Sequence, residues 1–232
     1  MKSNKSRQIS TPVLVAIAMV LGAAAGAWWV YGKGRVSGNG EATQTVQSAP
    51  SGDEARCQLA QDGADALKPL ARGEVAAMGI QDPVRDMPDL AFKTAEGGTI
   101  TLDDFGGTPL LVNFWATWCA PCRAEMPALA ELQDRMGGED FQVLAINIDT
   151  GELDKPEAFL DEIGVGNLGL YHDATMGVFN TLKKEGLAYG LPATLLVSDE
   201  GCLLGVMNGP AEWAGGDASR LIEELIRQSK GA

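Results

Sequence analysis

Two cysteines separated by two residues are the groups in this sequence best suited to chemistry. The segment Cys119-Ala120-Pro121-Cys122 follows a nearly continuous apolar run, Leu110–Trp115, and opens a stretch with helical spacing. Cys119 therefore lies where the N–H groups of a helix are unpaired and the helix dipole is positive, which favours its thiolate. Cys122 lies one turn further on, close enough to attack a mixed disulfide formed on Cys119. The spacing predicts a redox-active cysteine pair.

Metal binding is the alternative interpretation of this pair, since half of a zinc site has the same spacing. Zinc would need two more ligands, and the remaining candidates, Cys57, His172 and Cys202, occur singly along the chain. A copper-binding metallochaperone is a further alternative, but that role usually has wider cysteine spacing and a nearby histidine. Because His172 is the one histidine, we interpret it as an ordinary polar residue and expect no metal and no bound cofactor.

The other two cysteines are predicted to form a structural disulfide. If Cys119 pairs with Cys122, only Cys57 and Cys202 remain, and they would connect the start of the globular part to a strand near its end. The enclosed loop is about 145 residues, for which the chain-entropy estimate is on the order of 5 kcal/mol. The alternative is two free buried thiols, which would be unusual in an oxidising compartment.

The elements around the cysteine pair form an alternating pattern that predicts a mixed α/β sheet. The strands are predicted at 90–92, 99–102, 110–115, 141–148, 168–171, 193–197 and 202–207. The helices are predicted in two short pieces over 57–79, from the cysteine pair to about 135, at 155–163 with Asp154 as N-cap, at 174–183 and at 218–229. Pro192, just before a strand, suits a cis bond in a tight turn, although a trans proline at the first strand position is the alternative.

The N-terminal third has the composition of a membrane anchor and a tether. Residues 10–32 carry no charge, and these 23 residues would span about 34 Å as a helix. Trp28, Trp29 and Tyr31 cluster at their far end, as interfacial aromatic residues do. A signal peptide cleaved after Ala27 is the alternative. We expect a cytoplasmic segment at 1–9, a transmembrane anchor at 10–32, a flexible linker at 33–56 and a globular domain at 57–232.

Charge is distributed unevenly along the chain. Five of the 18 basic residues and none of the 31 acidic residues precede position 41, so residues 41–232 carry a net charge of about −18. Such a surface repels phosphate backbones, which argues against a nucleic-acid partner. We expect a monomer whose partners are proteins with neutral or basic surfaces.

Two segments resemble a known protein family. Residues 112–127 (VNFWATWCAPCRAEMP) resemble the active-site segment of TlpA-type proteins, the membrane-anchored periplasmic branch of the thioredoxin superfamily, and residues 190–194 (GLPAT) resemble their cis-proline loop. The similarity extends over about 88–228. It implies a thioredoxin fold with an N-terminal extension and an inserted βα element at roughly 151–170, preceded by one transmembrane helix.

The resemblance also implies the roles of the site residues. Cys119 would be the nucleophile and Cys122 the resolving thiol. The residues in contact with the substrate would be Trp118, Ala120, Pro121, Leu191 and Pro192, the last with a cis bond.

The resemblance implies a pathway as well. A membrane thiol reductase would keep the pair reduced, and the protein would reduce exported proteins such as apocytochrome c or copper-site assembly factors of cytochrome oxidase. The domain would then face the periplasm from the bacterial inner membrane. The same fold can instead act as a disulfide oxidase or isomerase, and only the redox potential separates these activities.

One position departs from the thioredoxin pattern. Thioredoxin has a buried aspartate six residues before its first cysteine, where this chain has Asn113. An amide cannot take a proton from the resolving thiol. Glu125, three residues after Cys122, is the candidate substitute, and the alternative is a solvated glutamate that only complements the helix dipole.

Overall fold

The computed structural model describes residues 52–231. The predicted anchor at 10–32 lies outside this range. Within it, no helix combines the length and the apolar character needed to cross a membrane.

An eight-stranded sheet forms the centre of the domain, with strand order β1-β8-β7-β4-β5-β6-β2-β3. The strands are β1 Gly79–Asp86, β2 Ala91–Lys93, β3 Thr99–Thr101, β4 Leu110–Trp115, β5 Gln142–Asn147, β6 Tyr171–His172, β7 Ala193–Val197 and β8 Cys202–Asn208. The helices are α1 Gly52–Leu59, α2 Gln61–Leu67, α3 Ala120–Met136, α4 Asp154–Glu162, α5 Gly177–Lys184 and α6 Gly216–Lys230. The mixed α/β sheet expected from the alternating pattern is present, with the thioredoxin-like fold that the resemblance implies.

Strand β4 is apolar at five of its six positions because of where it lies in the sheet. All six residues of β4 are buried, because β5 pairs with it in parallel on one side and β7 pairs antiparallel on the other. A strand covered on both faces and both edges has no exposed position for a polar residue. Asn113, in the middle of β4, is therefore an exception that needs hydrogen-bond partners inside the domain.

Strand β1 is the element that the sequence analysis missed. Gly79–Asp86 pairs antiparallel with β8 at the edge of the sheet, and its register shifts between Ile80 and Arg85. Within this irregular stretch lies Pro83, whose bond to Asp82 is cis. An edge strand tolerates a proline and charged residues because one side faces solvent, so the sequence of β1 lacks the pattern of a buried strand.

The inserted element between β5 and β6 contains α4, as expected, but its limits differ from the predicted ones. Gly169 has φ +66°, so the chain turns there and the strand starts at Tyr171 instead of at 168. Helix α4 has Leu153 at its N-cap with no side-chain cap, so the prediction of Asp154 as N-cap is wrong.

The next helix, α5, also begins later than predicted. It begins at Gly177 because residues 173–176 form a turn: Asp173 accepts hydrogen bonds from the N–H groups of Thr175 and Val178, and Met176 has φ 57°. This turn replaces the first residues of the helix predicted at 174–183.

The N-terminal extension is tied covalently to the sheet. Helix α1 begins at Gly52, so the end of the segment predicted as a linker is helical. Cys57 in α1 and Cys202 at the start of β8 form a disulfide with a Cα–Cα distance of 5.5 Å, and both side chains are buried. No free cysteine is left among the described residues.

Candidate active site

The redox pair lies at the N-terminus of α3, directly after the central strand. Cys119 is the N-cap of the helix, and its Sγ accepts a hydrogen bond from the N–H of Cys122 at 3.3 Å. Cys119 and Cys122 form a disulfide with a Cα–Cα distance of 5.3 Å. Cys119 is 5% exposed and Cys122 is fully covered. A reaction partner can therefore reach only Cys119. Cys122 is covered by the domain and can attack only the sulfur of Cys119.

The cis-proline loop lies at the same end of the sheet as the pair. Strands β4 and β7 are antiparallel, with Phe114 opposite Ala193, so the end of β4 and the start of β7 lie side by side. The Leu191-Pro192 bond is cis, and the carbonyl of Pro192 accepts a hydrogen bond from the N–H of Gly209. The antiparallel pairing thus brings together two segments that are about 70 residues apart in the sequence.

The residues predicted to contact a substrate differ in exposure. Trp118 is 64% exposed, and Ala120 and Pro121 are exposed beside Cys119. Leu191 is half-buried and Pro192 is buried. The five residues predicted to contact a substrate are therefore uncharged and mainly apolar, and the exposed Arg123 lies one helix turn after Cys119.

Glu125 is buried, not solvated. Its side chain is 4% exposed and accepts three hydrogen bonds. Asn113 Nδ2 donates to Oε1 at 2.9 Å, while the N–H of Ala211 and Trp213 Nε1 donate to Oε2 at 3.1 and 3.2 Å. The interpretation of Glu125 as a water-exposed residue at the start of the helix is therefore wrong. The carboxyl group of Glu125 therefore lies inside the domain, away from solvent.

The electrostatic consequence of this burial is a carboxyl group that titrates near neutral pH. Burial raises the pKa of Glu125 to about 7 from an ordinary value of 4.5, although the hydrogen bonds from Asn113, Ala211 and Trp213 act in the opposite direction. Glu125 follows Cys122 by three residues on the same helix, so both side chains lie on one face. A group that exchanges protons near pH 7 is thus placed one turn from the resolving cysteine.

Asn113 links Glu125 to the cis-proline loop. Its Nδ2 donates to Glu125 Oε1 and, at 3.0 Å, to Thr194 Oγ1. Its Oδ1 is buried and has no hydrogen-bond partner among the described residues. If the amide were turned over, this oxygen could accept from a protonated Glu125 and from the Thr194 hydroxyl. Asn113, which stands where thioredoxin has its buried aspartate, therefore holds the carboxyl group of Glu125 in place. Glu125 is the residue that we expect to take over the role of that aspartate.

Three residues of this buried network were missed by the sequence analysis. Thr194, Ala211 and Trp213 lie 81 to 88 positions from their partners in the chain. Trp213 is fully buried. No local spacing links a tryptophan after β8 to a glutamate in α3. The signal that could have found it is weak: a single aromatic residue with an N–H donor in a loop of mostly small residues.

A second buried polar cluster supports the loop before the pair. Asp149 Oδ2 accepts hydrogen bonds from the N–H of Thr117 and from Asn147 Nδ2, each at 3.0 Å. His172 Nε2 lies 2.7 Å from the backbone oxygen of Asp149. His172 thus lies in β6 as a buried polar residue with a structural contact. The cluster holds Thr117, and hence the segment that leads to Trp118.

The inserted helix α4 packs against the start of α3. The guanidinium of Arg123 lies 4.8 Å from the ring centroid of Phe159, and this ring lies 5.7 Å from that of Trp115. Trp115 is 1% exposed and belongs to the core, as its position in β4 predicts. The insertion therefore covers one side of the helix that carries the pair.

One group of potential metal ligands is present in the described part of the chain. It consists of Cys57, Asp86 and Cys202, whose ligand atoms lie within 4.8 Å of one another. The two sulfur atoms of this group are bonded to each other, which removes them as thiolate ligands. Neither Cys119 nor Cys122 belongs to such a group within residues 52–231.

Curated relatives with this pattern are known from bacilli. The thioredoxin-like protein YneN of Bacillus subtilis is 32% identical over 131 residues, which cover 54% of this chain and 71% of that protein. The thiol-disulfide oxidoreductase ResA of the same organism is 27% identical over 124 residues, which cover 53% of this chain and 66% of ResA.

Solved structures share the fold at lower identity. A thiol:disulfide interchange protein of the thioredoxin family from Chlorobium tepidum has a TM-score of 0.51 and 23% identity, covering 61% of this chain and 95% of that one. A DsbF homologue from Corynebacterium diphtheriae has a TM-score of 0.52 and 19% identity, covering 64% and 93%. At these identities the likeness establishes the fold alone.

A model of the AhpC/TSA family matches residues 83–204, which are more than half of the chain and include β4, the cysteine pair and the cis-proline loop. This chain therefore belongs to the AhpC/TSA family, and it is a thiol-disulfide oxidoreductase with a thioredoxin-like fold.

Proposed function

We propose that this protein is a reductase, which transfers two electrons from the Cys119/Cys122 pair to disulfides of exported proteins. The observation that carries the proposal is the position of the pair: Cys119 caps α3 and is the only member that a partner can reach, while Cys122 lies beneath it and one turn from Glu125. This arrangement provides an attacking thiolate, a resolving thiol and a proton acceptor within the first two turns of one helix.

The reaction proceeds through a mixed disulfide. The Cys119 thiolate attacks one sulfur of the target disulfide, so the target bond breaks, a bond between Cys119 and the target forms, and the departing target sulfur takes up a proton. Cys122 then loses its proton and attacks Cys119 Sγ. The second target sulfur leaves and is protonated, and the Cys119–Cys122 disulfide remains. The target gains two electrons and two protons in total.

Glu125 takes the proton of Cys122 in the resolving step. The resolving thiol is fully covered, so water cannot readily accept its proton, and Glu125 lies on the same helix face with a pKa of about 7. Hydrogen bonds from Asn113, Ala211 and Trp213 keep its carboxylate in one orientation. Glu125 therefore acts as the general base that Asn113, as an amide, cannot be.

The cellular role is proposed on broader grounds. The uncharged run at 10–32 supports a single-pass inner-membrane anchor, and the Cys57–Cys202 bond is typical of proteins in oxidising compartments such as the periplasm. The electron donor would be a membrane thiol reductase, and the targets would be apocytochrome c or copper-site assembly factors. The protein would act as a monomer.

The reduction potential of the pair tests the direction of electron transfer. The full-length protein in detergent is equilibrated with thiol buffers of defined potential, and the fluorescence of Trp115 and Trp118 reports the redox state. A potential of about −250 mV or lower supports a reductase, whereas a value of about −120 mV identifies an oxidase and contradicts the proposal. A reduced pair that binds stoichiometric copper but exchanges poorly with disulfides would favour a metallochaperone instead.

A further inference from the structure

The group formed by Cys57, Asp86 and Cys202 brings together side chains from three elements at the edge of the sheet. Cys57 lies in the last turn of α1, Asp86 is the last residue of β1 and Cys202 is the first residue of β8. Asp86 and Cys202 are directly opposite each other in the antiparallel pairing of β1 and β8. The sulfur and carboxylate oxygen atoms of the three residues lie within 4.8 Å of one another.

The carboxylate of Asp86 is in contact with a sulfur atom of the disulfide. Asp86 Oδ1 lies 3.1 Å from Cys57 Sγ, and Arg56 Nη2 donates to the same oxygen at 2.8 Å. A disulfide sulfur carries no hydrogen, so this contact is not a hydrogen bond in the oxidised chain. When the two cysteines are thiols, the same atoms provide two sulfur ligands and one oxygen ligand, a set that zinc binds.

The distances in the group fit a tetrahedral zinc ion. With Zn–S at about 2.3 Å and Zn–O at about 2.0 Å, a tetrahedral site places the two sulfur atoms about 3.8 Å apart and each about 3.5 Å from the oxygen. The contact between Asp86 and Cys57 is already close to this value. The Cα atoms of Cys57 and Cys202 are 5.5 Å apart, so rotation of the cysteine side chains is enough to separate the sulfur atoms.

Noncovalent contacts hold the three elements together in addition to the disulfide. Gln61 Oε1 in α2 accepts a hydrogen bond from the N–H of Val84 in β1 at 2.9 Å. The ion pair of Arg56 with Asp86 joins α1 to β1 and fixes the orientation of the carboxylate, as supporting residues of metal ligands do. The ligand residues are therefore kept near one another when the sulfur atoms are not bonded.

A cation can reach the group from solvent along an acidic surface. Cys57 and Cys202 are buried, but the side chain of Asp86 is 35% exposed. Asp86 lines a cleft of about 680 Å³, and further carboxylates line the same cleft: Asp89, Asp103, Asp199 and Glu200. Their negative charge raises the local concentration of cations.

We propose that Cys57, Asp86 and Cys202 bind Zn²⁺ when the two cysteines are thiols, the form in which every chain is synthesised. The two thiols release their protons to solvent, and Zn²⁺ takes up both thiolates and the carboxylate, which leaves one tetrahedral position for water. A partner disulfide that later accepts two electrons and two protons converts the thiols to the Cys57–Cys202 bond and releases the ion. The metal thus clamps α1 to β8 before the covalent bond forms.

The test uses the full-length protein in detergent with Cys119→Ser and Cys122→Ser, so that Cys57 and Cys202 are the only thiols. The protein is purified without oxygen in a phosphine reductant, which is then removed. Co²⁺ is the spectroscopic probe, since a tetrahedral cobalt thiolate site has a charge-transfer band and intense visible bands that octahedral Co²⁺ lacks. Competition with a chromophoric chelator measures the zinc affinity.

We expect one ion per chain with the spectrum of a tetrahedral thiolate site. Asp86→Asn should weaken zinc binding about tenfold or more, because the loss of a residue that only supports a ligand already has an effect of this size. Asp89→Asn, which removes an exposed carboxylate of the same cleft outside the group, should leave the affinity unchanged. The disulfide form should not bind zinc at this group.

Three results would overturn the inference: a cobalt spectrum without the charge-transfer band, equal zinc affinity in Asp86→Asn, or equal affinity in the disulfide form. If the dithiol protein is unfolded without metal, zinc should restore its helical circular dichroism, and no recovery would also overturn the inference. Cys202 lies beside the end of β7, whereas Cys119 follows β4 beside the start of β7. The outcome therefore leaves the exchange activity of the redox pair untouched.

Discussion

Glu125 combines almost complete burial with three hydrogen-bond donors, and these two influences on its protonation act in opposite directions. Burial favours the neutral acid, whereas Asn113, Ala211 and Trp213 favour the carboxylate. The result is a group that is partly ionised at neutral pH and can both accept and return a proton. At the scale of single residues, the balance between these influences sets the pKa of Glu125, on which its proposed role as a general base depends.

Replacing Glu125 with glutamine should slow the resolving step. An amide cannot accept the proton of Cys122, so we expect the rate constant for release of the mixed disulfide to fall about tenfold or more at pH 7. The wild-type rate should also rise with pH around an apparent pKa near 7, and the variant should lack this rise. Stopped-flow release of a peptide thiol measures both. Glu131→Gln, which alters an exposed carboxylate on the same helix, is the control, and equal rates in the wild type and Glu125→Gln would contradict the assignment.

Replacing Trp213 with phenylalanine should move the titration of Glu125. The change removes the Nε1 donor to Oε2 and keeps an aromatic ring in the buried position. Because one hydrogen bond to the carboxylate is lost, the pKa of Glu125 should rise above 7. Carboxyl ¹³C NMR of glutamate-labelled protein measures the pKa directly. An unchanged or lower pKa would show that the indole N–H does not stabilise the carboxylate, and the free energy of unfolding at pH 5 checks that the variant is folded.

At the scale of secondary-structure elements, the site depends on three chain segments that meet at one end of the sheet. Strand β4 leads into Cys119, β7 begins after cis-Pro192, and the loop after β8 supplies the donors to Glu125. In the loop after the neighbouring strand β5, Asp149 accepts a hydrogen bond from the N–H of Thr117 and so holds the segment before Cys119. Among the described residues, the N-terminal extension supplies none of the redox site, and we expect its disulfide with β8 to act on stability alone.

Removing the Cys57–Cys202 bond should destabilise the domain without abolishing exchange. The bond encloses a separation of 145 residues, so its loss should lower the free energy of unfolding by about 2 to 5 kcal/mol. The double variant Cys57→Ser/Cys202→Ser avoids an unpaired thiol, and chemical denaturation with the Cys119/Cys122 pair oxidised measures the change. Exchange with bis(2-hydroxyethyl) disulfide checks that the active site is assembled. Equal unfolding free energies would show that the extension is held by its noncovalent contacts alone.

At the scale of the whole molecule, the buried carboxyl group couples stability to pH. The pKa of Glu125 is about 7 in the folded state and about 4.5 in the unfolded chain, so the folded state binds more protons between these values. Its contribution is fully present below pH 4.5 and is lost as pH rises through 7. Burial also raises the pKa of Asp199, as does its neighbour Glu200, and this acts in the same direction.

We therefore expect the free energy of unfolding to fall by roughly 3 kcal/mol between pH 4.5 and 7 on account of Glu125. Urea denaturation of the wild type and of Glu125→Gln across this range measures the difference. The variant should show a flatter pH dependence, with the remaining slope due to other groups such as Asp199. Parallel curves for the two proteins would mean that Glu125 has an ordinary pKa in the folded state.

The amino-acid sequence by itself determined the central chemistry of this protein, since the features that carry it are local. A nearly continuous apolar run identifies β4 as a strand covered on both faces, and two cysteines at the start of the next helix identify the redox pair. Both patterns arise from backbone periodicity and helix-end geometry, which depend on neighbouring residues. The membrane anchor predicted at 10–32 has the same local basis and stays a prediction.

Only the tertiary structure decided the environment of these groups, because that environment is built from distant parts of the chain. Trp213 and Ala211 reach Glu125 from more than 80 positions away, and their contacts with its buried carboxyl group decide against the solvated glutamate that the sequence left open as the alternative. Strand β1 forms at a solvent-facing edge, where pairing with β8 outweighs a polar sequence that contains Pro83. The backbone of Tyr189, in the loop before β7, is held by the side chain of Asn208 at the end of β8. Local sequence patterns report what a residue prefers, whereas burial and hydrogen-bond partners depend on which elements pack together in the folded chain.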